Sequence, residues 1–147
     1  MTNTAVQLFC DRIVEAGRIT AADVAELSRE ILADGIMTRH EADLLLALDR
    51  AVADQHEGFA ALLTASIVDY AVYGERPTAR ITPETAAWLS ASLAGRKGPT
   101  ATGARIAMEI VREATVSDEA MIAFALKAKS WNHQPADART GPLPLAA

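Results

Sequence analysis

The sequence is short of most features that would narrow its function. It has one cysteine, Cys10, which excludes an internal disulfide and every zinc motif built from several cysteines. Its three histidines, His40, His56 and His133, stand far apart. On a helix His40 and its neighbour Glu41 point about 100° apart, and no His-Glu-x-x-His pair exists to hold zinc. There is no run of Lys and Arg. The 14 basic residues are outweighed by 19 acidic ones, giving a net charge of −5, so nucleic acid is not an expected partner. The longest apolar stretch, Phe59 to Val68, is broken by Thr64 and Ser66 and stopped by Asp69. A bilayer span needs about 20 apolar residues, so no membrane span is expected. Met1 to Cys10 carries no Lys or Arg and no long apolar run, so no secretory leader is expected and the expected location is the cytoplasm. No Gly-x-Ser-x-Gly elbow or other catalytic motif is present, and the chain is not expected to be an enzyme.

What is present is the material for a core. Half of the 147 residues are hydrophobic and 22 % are charged, as in a single globular domain. Ala and Leu dominate, and apolar residues recur at helical rather than alternating spacing. Seven segments follow. The first carries Val6, Phe9, Ile13 and Val14 and ends at Gly17; the second is capped by Thr20 and carries Val24, Leu27, Ile31 and Leu32. Thr38 and Glu41 form a capping box before Leu45, Leu48 and Val52. A fourth helix from about Phe59 turns Leu63, Ile67 and Tyr70 inward and closes at Gly74. Thr82-Pro83 opens a fifth with Trp88, Leu89 and Leu93, and a helix opened near Thr102 carries Ile106, Ile110 and Val111. Ser117 caps a seventh, with Met121, Ile122, Phe124 and Leu126. No strand is expected. The expectation is an all-α domain over residues 1–131, with an irregular tail over 132–147.

The chain also resembles itself. Placing Ile19–Ala33 over Ile81–Gly95, an offset of 62, matches Ile19/Ile81, Thr20/Thr82, Ala25/Ala87, Leu27/Leu89 and Ser28/Ser90. An N-terminal helix is then followed by two similar packed three-helix units, residues 19–74 and 81–131. Each unit would bury its apolar stripe against the other.

The turn from Glu30 to Glu41 offers the one candidate for metal. With Gly35 at the glycine position of an EF-hand loop, Glu30, Asp34, Thr38 and Glu41 fall at ligand positions and Met37 at the hydrophobic one. Leu32 occupies a ligand position without an oxygen, so any calcium or magnesium site is degenerate. In the second unit Ser92 and Arg96 replace Glu30 and Asp34. Without an ion, Asp34-Gly35 is a turn, Thr38 and Glu41 are a cap, and Met37 packs on the core.

The pattern Asp34-Gly35-x-Met37-Thr38-x-x-Glu41-Ala42-x-x-Leu45, set within repeated helical units, resembles the bacterial tellurite-resistance TerB-like helical family. The resemblance implies an all-α bacterial protein with a role in assemblies or stress response, and acidic residues that sometimes take metal. The second unit, which lacks those acidic residues, departs from it.

Cys10, beside Phe9, reads as a buried small hydrophobe. Gly95-Arg96-Lys97-Gly98-Pro99-Thr100 lacks Walker spacing and reads as an exposed basic turn. Trp88 is the candidate interaction residue, since an exposed tryptophan favours an interface. The expected function is a non-enzymatic helical protein-interaction or scaffold module, binding a protein partner or itself. The alternative is a calcium- or magnesium-responsive module through the turn at 30–41.

Overall fold

The computed structural model describes residues 3–140, with side chains from 4 to 130. Seven helices lie among them. These are α1 (Asn3–Ala16), α2 (Ala21–Glu26, prolonged by a π turn over Leu27–Ile31), α3 (Arg39–Ala51) and α4 (Glu57–Asp69, prolonged by a π turn over Tyr70–Gly74). They continue with α5 (Pro83–Ala94), α6 (Ala101–Glu113) and α7 (Glu119–Thr140). The fold is all-α, as the spacing of apolar residues requires. No helix among the described residues is long and apolar enough to cross a membrane.

The helices start where the sequence supplies caps. Thr20, Thr38, Thr82 and Thr100 each accept a hydrogen bond from the amide three residues on, at 3.2, 3.1, 3.2 and 2.9 Å. Two starts differ from expectation. α6 opens at Thr100 rather than Thr102. Before α7 the cap is Asp118, whose Oδ2 accepts from the Ala120 amide at 3.0 Å, while the Ser117 hydroxyl is buried without a partner.

Four two-residue strands were not expected. β1 (Arg18–Ile19) pairs in parallel with β2 (Asp54–Gln55), and β3 (Arg80–Ile81) pairs in parallel with β4 (Val116–Ser117). Two residues are too few to register as an alternating pattern. Each ladder ties the entrance of a two-helix excursion to its exit: the His56 amide donates to the Ile19 carbonyl at 2.7 Å, and the Asp118 amide to the Ile81 carbonyl at 2.8 Å.

These features recur 62 residues apart. β1 and β3, β2 and β4, and both ends of α3 and α6 keep that offset. So do Gly17 and Ala79, which both adopt the left-handed region, with φ of 80° and 64°.

One core runs through the described chain. Phe9, Ile13, Leu27, Leu45, Leu48, Phe59, Leu63 and Ile67 meet Leu89, Leu93, Ile106 and Ile110 in it, all essentially without exposure. Some of the apolar residues picked out by their spacing face solvent. Val14 is exposed at the outer side of α1. Met37 is exposed, and Ile36 beside it fills the core position. On α7 the buried stripe is Met121, Ala125 and Ala128, so Ile122 and Leu126, one residue round the helix, face outward. The helix also continues through residues 132–140, which were expected to be irregular; a proline inside a helix costs about 3 kcal/mol, yet Pro135 does not end this one. Residues 141–147 of the expected tail lie outside the described residues.

The left-handed turn gives a stability test. A Cβ at Gly17 would meet no atom within 4 Å, so the conformation alone resists a side chain there. Gly17→Ala should lower unfolding free energy by about 1 kcal/mol, measured by urea denaturation, with the helical circular dichroism unchanged.

Candidate functional site

The turn proposed for metal is held by protein groups. Glu41 is buried at 2 % exposure, and its Oε1 accepts from the Met37 amide at 2.8 Å. Its own amide donates to the Thr38 hydroxyl at 3.1 Å. Glu30 and Asp34 point into solvent. The four residues Glu30, Asp34, Thr38 and Glu41 are therefore not gathered into a cage. Among the described residues no group of three His, Cys, Asp or Glu side chains converges as a metal site would require. Glu41 serves instead as the acceptor for the Met37 amide, one residue before the Thr38 cap, so only Thr38's half of the expected capping box forms.

The densest polar arrangement lies elsewhere, along the face of α3 that meets α5. Arg39 donates from Nε and Nη2 to the two oxygens of Glu75 at 2.6 and 2.7 Å. This is the paired fork that gives arginine–carboxylate contacts both strength and direction. Glu75 also accepts from the Tyr70 hydroxyl at 2.9 Å and from Thr85 at 3.3 Å. One turn along α3, Asp43 accepts from the Trp88 indole at 2.9 Å and from Ser92 at 2.6 Å. Further on, Arg50 donates to the Ser92 carbonyl at 2.7 Å. Asp49 accepts from Thr100 at 2.7 Å, so the residue that caps α6 is itself held by α3.

Trp88, the expected interaction residue, is built into this seam. Its indole N–H is taken by Asp43, the Arg39 guanidinium lies 4.8 Å from its ring centre, and Tyr70 meets it edge-on at 6.0 Å. A side chain committed on its N–H, one face and an edge is a structural member, not a free anchor. Arg39, Asp43 and Arg50 were not picked out from the sequence. Their spacing of four and seven residues places them on one stripe, which was a usable signal, but nothing in the sequence named α5 as its partner.

The electrostatics follow from this geometry. Hydrogen bonds from Arg39 above all, with those from Tyr70 and Thr85, hold the Glu75 carboxyl below the usual carboxylate range. Burial, and then the Glu75 carboxylate, push the Tyr70 hydroxyl up to about 12, so it stays a donor. Burial, with Asp11 adding to it, pushes the Cys10 thiol up to about 11, and its Sγ lies 3.8 Å from the Leu44 carbonyl oxygen. A thiol so raised and 6 % exposed is a poor nucleophile at neutral pH. His40 is exposed, and His56 caps α4 by accepting from the Gly58 amide at 3.0 Å. Trp131 and His133 lie outside the described side chains.

The large apolar side chains left in solvent are Leu8, Val14, Met37, Tyr73, Val116, Ile122 and Leu126. Ile122 and Leu126 lie one turn apart on a single face of α7. Leu126 is 59 % exposed, whereas Thr64, 62 residues earlier on α4, is 6 % exposed where α4 packs on α6. No protein-family model, curated protein or solved structure matches the chain.

Two outcomes test the seam. Trp88→Ala should cost about 2 kcal/mol of stability in chemical denaturation, rather than leave the fold intact. Because Glu75 is depressed when folded, its contribution is present at neutral pH and is lost as pH falls below about 4. Glu75→Gln should therefore lower stability at pH 7 and flatten the acid limb of a stability-against-pH series.

Proposed function

We propose that the chain is a non-enzymatic helical interaction module whose docking face is the outer side of α7. The observation that carries this reading is the contrast between Leu126 and Thr64. At equivalent places on α4 and α7, the buried residue is a polar threonine and the solvent-facing one is a leucine. Fully burying a leucine is worth about 1.5–3 kcal/mol, and with Ile122 beside it the pair forms a short apolar strip of the kind a partner helix covers. The covering element would lie across α7 as α6 lies across α4, and it would come from a second copy or from another protein with an amphipathic helix.

The constant offset of 62 residues, extending through caps, ladders and left-handed turns, supports an origin by duplication of a helical block. With the Asp34–Leu45 pattern it also supports kinship with the TerB-like bacterial proteins. A single buried, unreactive thiol suits the cytoplasm. No positive observation favours the calcium- or magnesium-responsive alternative.

A photoreactive residue placed at position 126 of the full chain tests the docking face. In extracts of the source cell it should yield protein adducts, either to a second copy or to one other chain, and Ile122→Glu should remove them. Labelling no stronger than from a photoreactive residue at exposed Arg105 would contradict the reading.

A further inference from the structure

The turn between α5 and α6 reverses the charge of its counterpart between α2 and α3. At the offset of 62, Asp34 becomes Arg96, Gly35 becomes Lys97, and Met37 becomes Pro99. Glu41 becomes Gly103. The last two changes compensate each other. Glu41 accepts from the Met37 amide, and proline has no amide to offer, so the second turn needs no buried carboxylate. Gly95 takes φ 57° and ψ −148°, and a Cβ there would stand 2.8 Å from Nε of Arg50. The backbone therefore lies directly against a guanidinium from α3.

Two hollows flank this turn. One, of about 570 Å³, is lined by Arg50, Arg96 and Lys97. The other, of about 480 Å³, is lined by Arg96, Lys97 and Lys127, with Pro99, Phe124 and Ala128 forming an apolar wall. Neither lining contains an aspartate or glutamate. Among the described residues the side chains of Arg96, Lys97 and Lys127 have no ion pair or hydrogen bond, as is also true of Arg29, Arg76, Arg80 and Arg105. What sets the three apart is that they line one concave space with no carboxylate in its wall. In a chain of net charge −5, three uncompensated cations around one concave, partly apolar space form a local field of the opposite sign. Such a field favours an anion carrying more than one charge. The guanidinium fork of Arg96 and the two ammonium groups suit the oxygens of a phosphate, and the half-buried ring of Phe124 suits a flat apolar body.

We propose that the hollow between the Gly95–Gly98 turn and α7 is a binding site for a small phosphate-bearing molecule with a flat ring, of nucleoside diphosphate type. Arg96, Lys97 and Lys127 hold the phosphates, and Phe124 and Pro99 hold the ring. The site shares no residue with the Ile122–Leu126 strip, so it stands or falls separately from that docking face.

Isothermal titration of the full chain with ADP, adenosine and inorganic phosphate, at low salt, tests the proposal. ADP should bind with a Kd in roughly the micromolar to submillimolar range, and adenosine and inorganic phosphate should each bind at least about tenfold more weakly. The double variant Lys97→Gln, Lys127→Gln alters only exposed side chains, so its melting temperature without ligand should match the wild type while its ADP affinity falls about tenfold or more. Arg96→Gln provides a second, independent loss. Phe124→Leu should weaken ADP and leave inorganic phosphate unchanged. No heat with millimolar ADP, or equal ADP affinity in the charge variants, overturns the site. Inorganic phosphate binding as tightly as ADP overturns the assignment of the ring.

Discussion

The seam between α3 and α5 is where directional bonds cross between the two halves of this molecule. Asp43 accepts from the Trp88 indole, Arg50 donates to the Ser92 carbonyl, Asp49 accepts from the Thr100 hydroxyl, and the Arg39–Glu75 fork closes the seam against Thr85. Glu75 follows the π turn that ends α4, Arg39 opens α3, and Thr85 in the first turn of α5 completes the carboxylate's shell. Three elements are thus fixed at one point. A charge pair this shielded gains little net energy over an apolar contact of the same shape, but removing either partner strands the other. Its contribution is direction: two short bonds at a fixed angle favour one placement of α5 beside α3, the placement at which Asp43 also meets Trp88 and Asp49 meets Thr100. The apolar core supplies the bulk of the driving force and tolerates small slips; a bidentate fork does not.

Once the seam has taken up Trp88, the outward surface of the molecule is simpler than its composition suggests. The aromatic that looked available is spent on internal contacts, and the acidic turn that looked like an ion loop is closed by Glu41 on a backbone amide. What faces solvent with chemistry to spare lies at the far end of the chain: the leucine and isoleucine strip of α7, and the cationic turn beside it. On α7 Leu126 and Ile122 leave apolar surface in solvent, which is why docking is the reading we adopt.

Much of the fold was legible because helix signals are local. Threonine caps, the Thr82-Pro83 start and the Leu and Ile spacing each act within one or two turns of chain, and they placed most helices within a residue or two. The offset of 62 was legible for the same reason, since Ile19/Ile81 and Thr20/Thr82 fall at the short strands and helix caps that recur at that spacing. Misses arose where the outcome depends on a distant partner. Ile122 and Leu126 obey the same periodicity as Met121, and only the position of α5 and α6 decides which stripe is covered. Arg39, Asp43 and Arg50 look like surface charges until α5 is laid beside them. The two-residue ladders carry too little sequence to announce themselves.

The claim on which the rest depends is that the Arg39 seam makes both halves one cooperative unit. Native-state hydrogen exchange on the full chain measures this directly, by comparing the opening free energies of core amides in α3 with those in α6. The account predicts one shared value in the wild-type chain and, once Arg39 is replaced by alanine, a fall of the same size in both helices. Separate values in the wild-type chain, or a fall confined to α3, would contradict it.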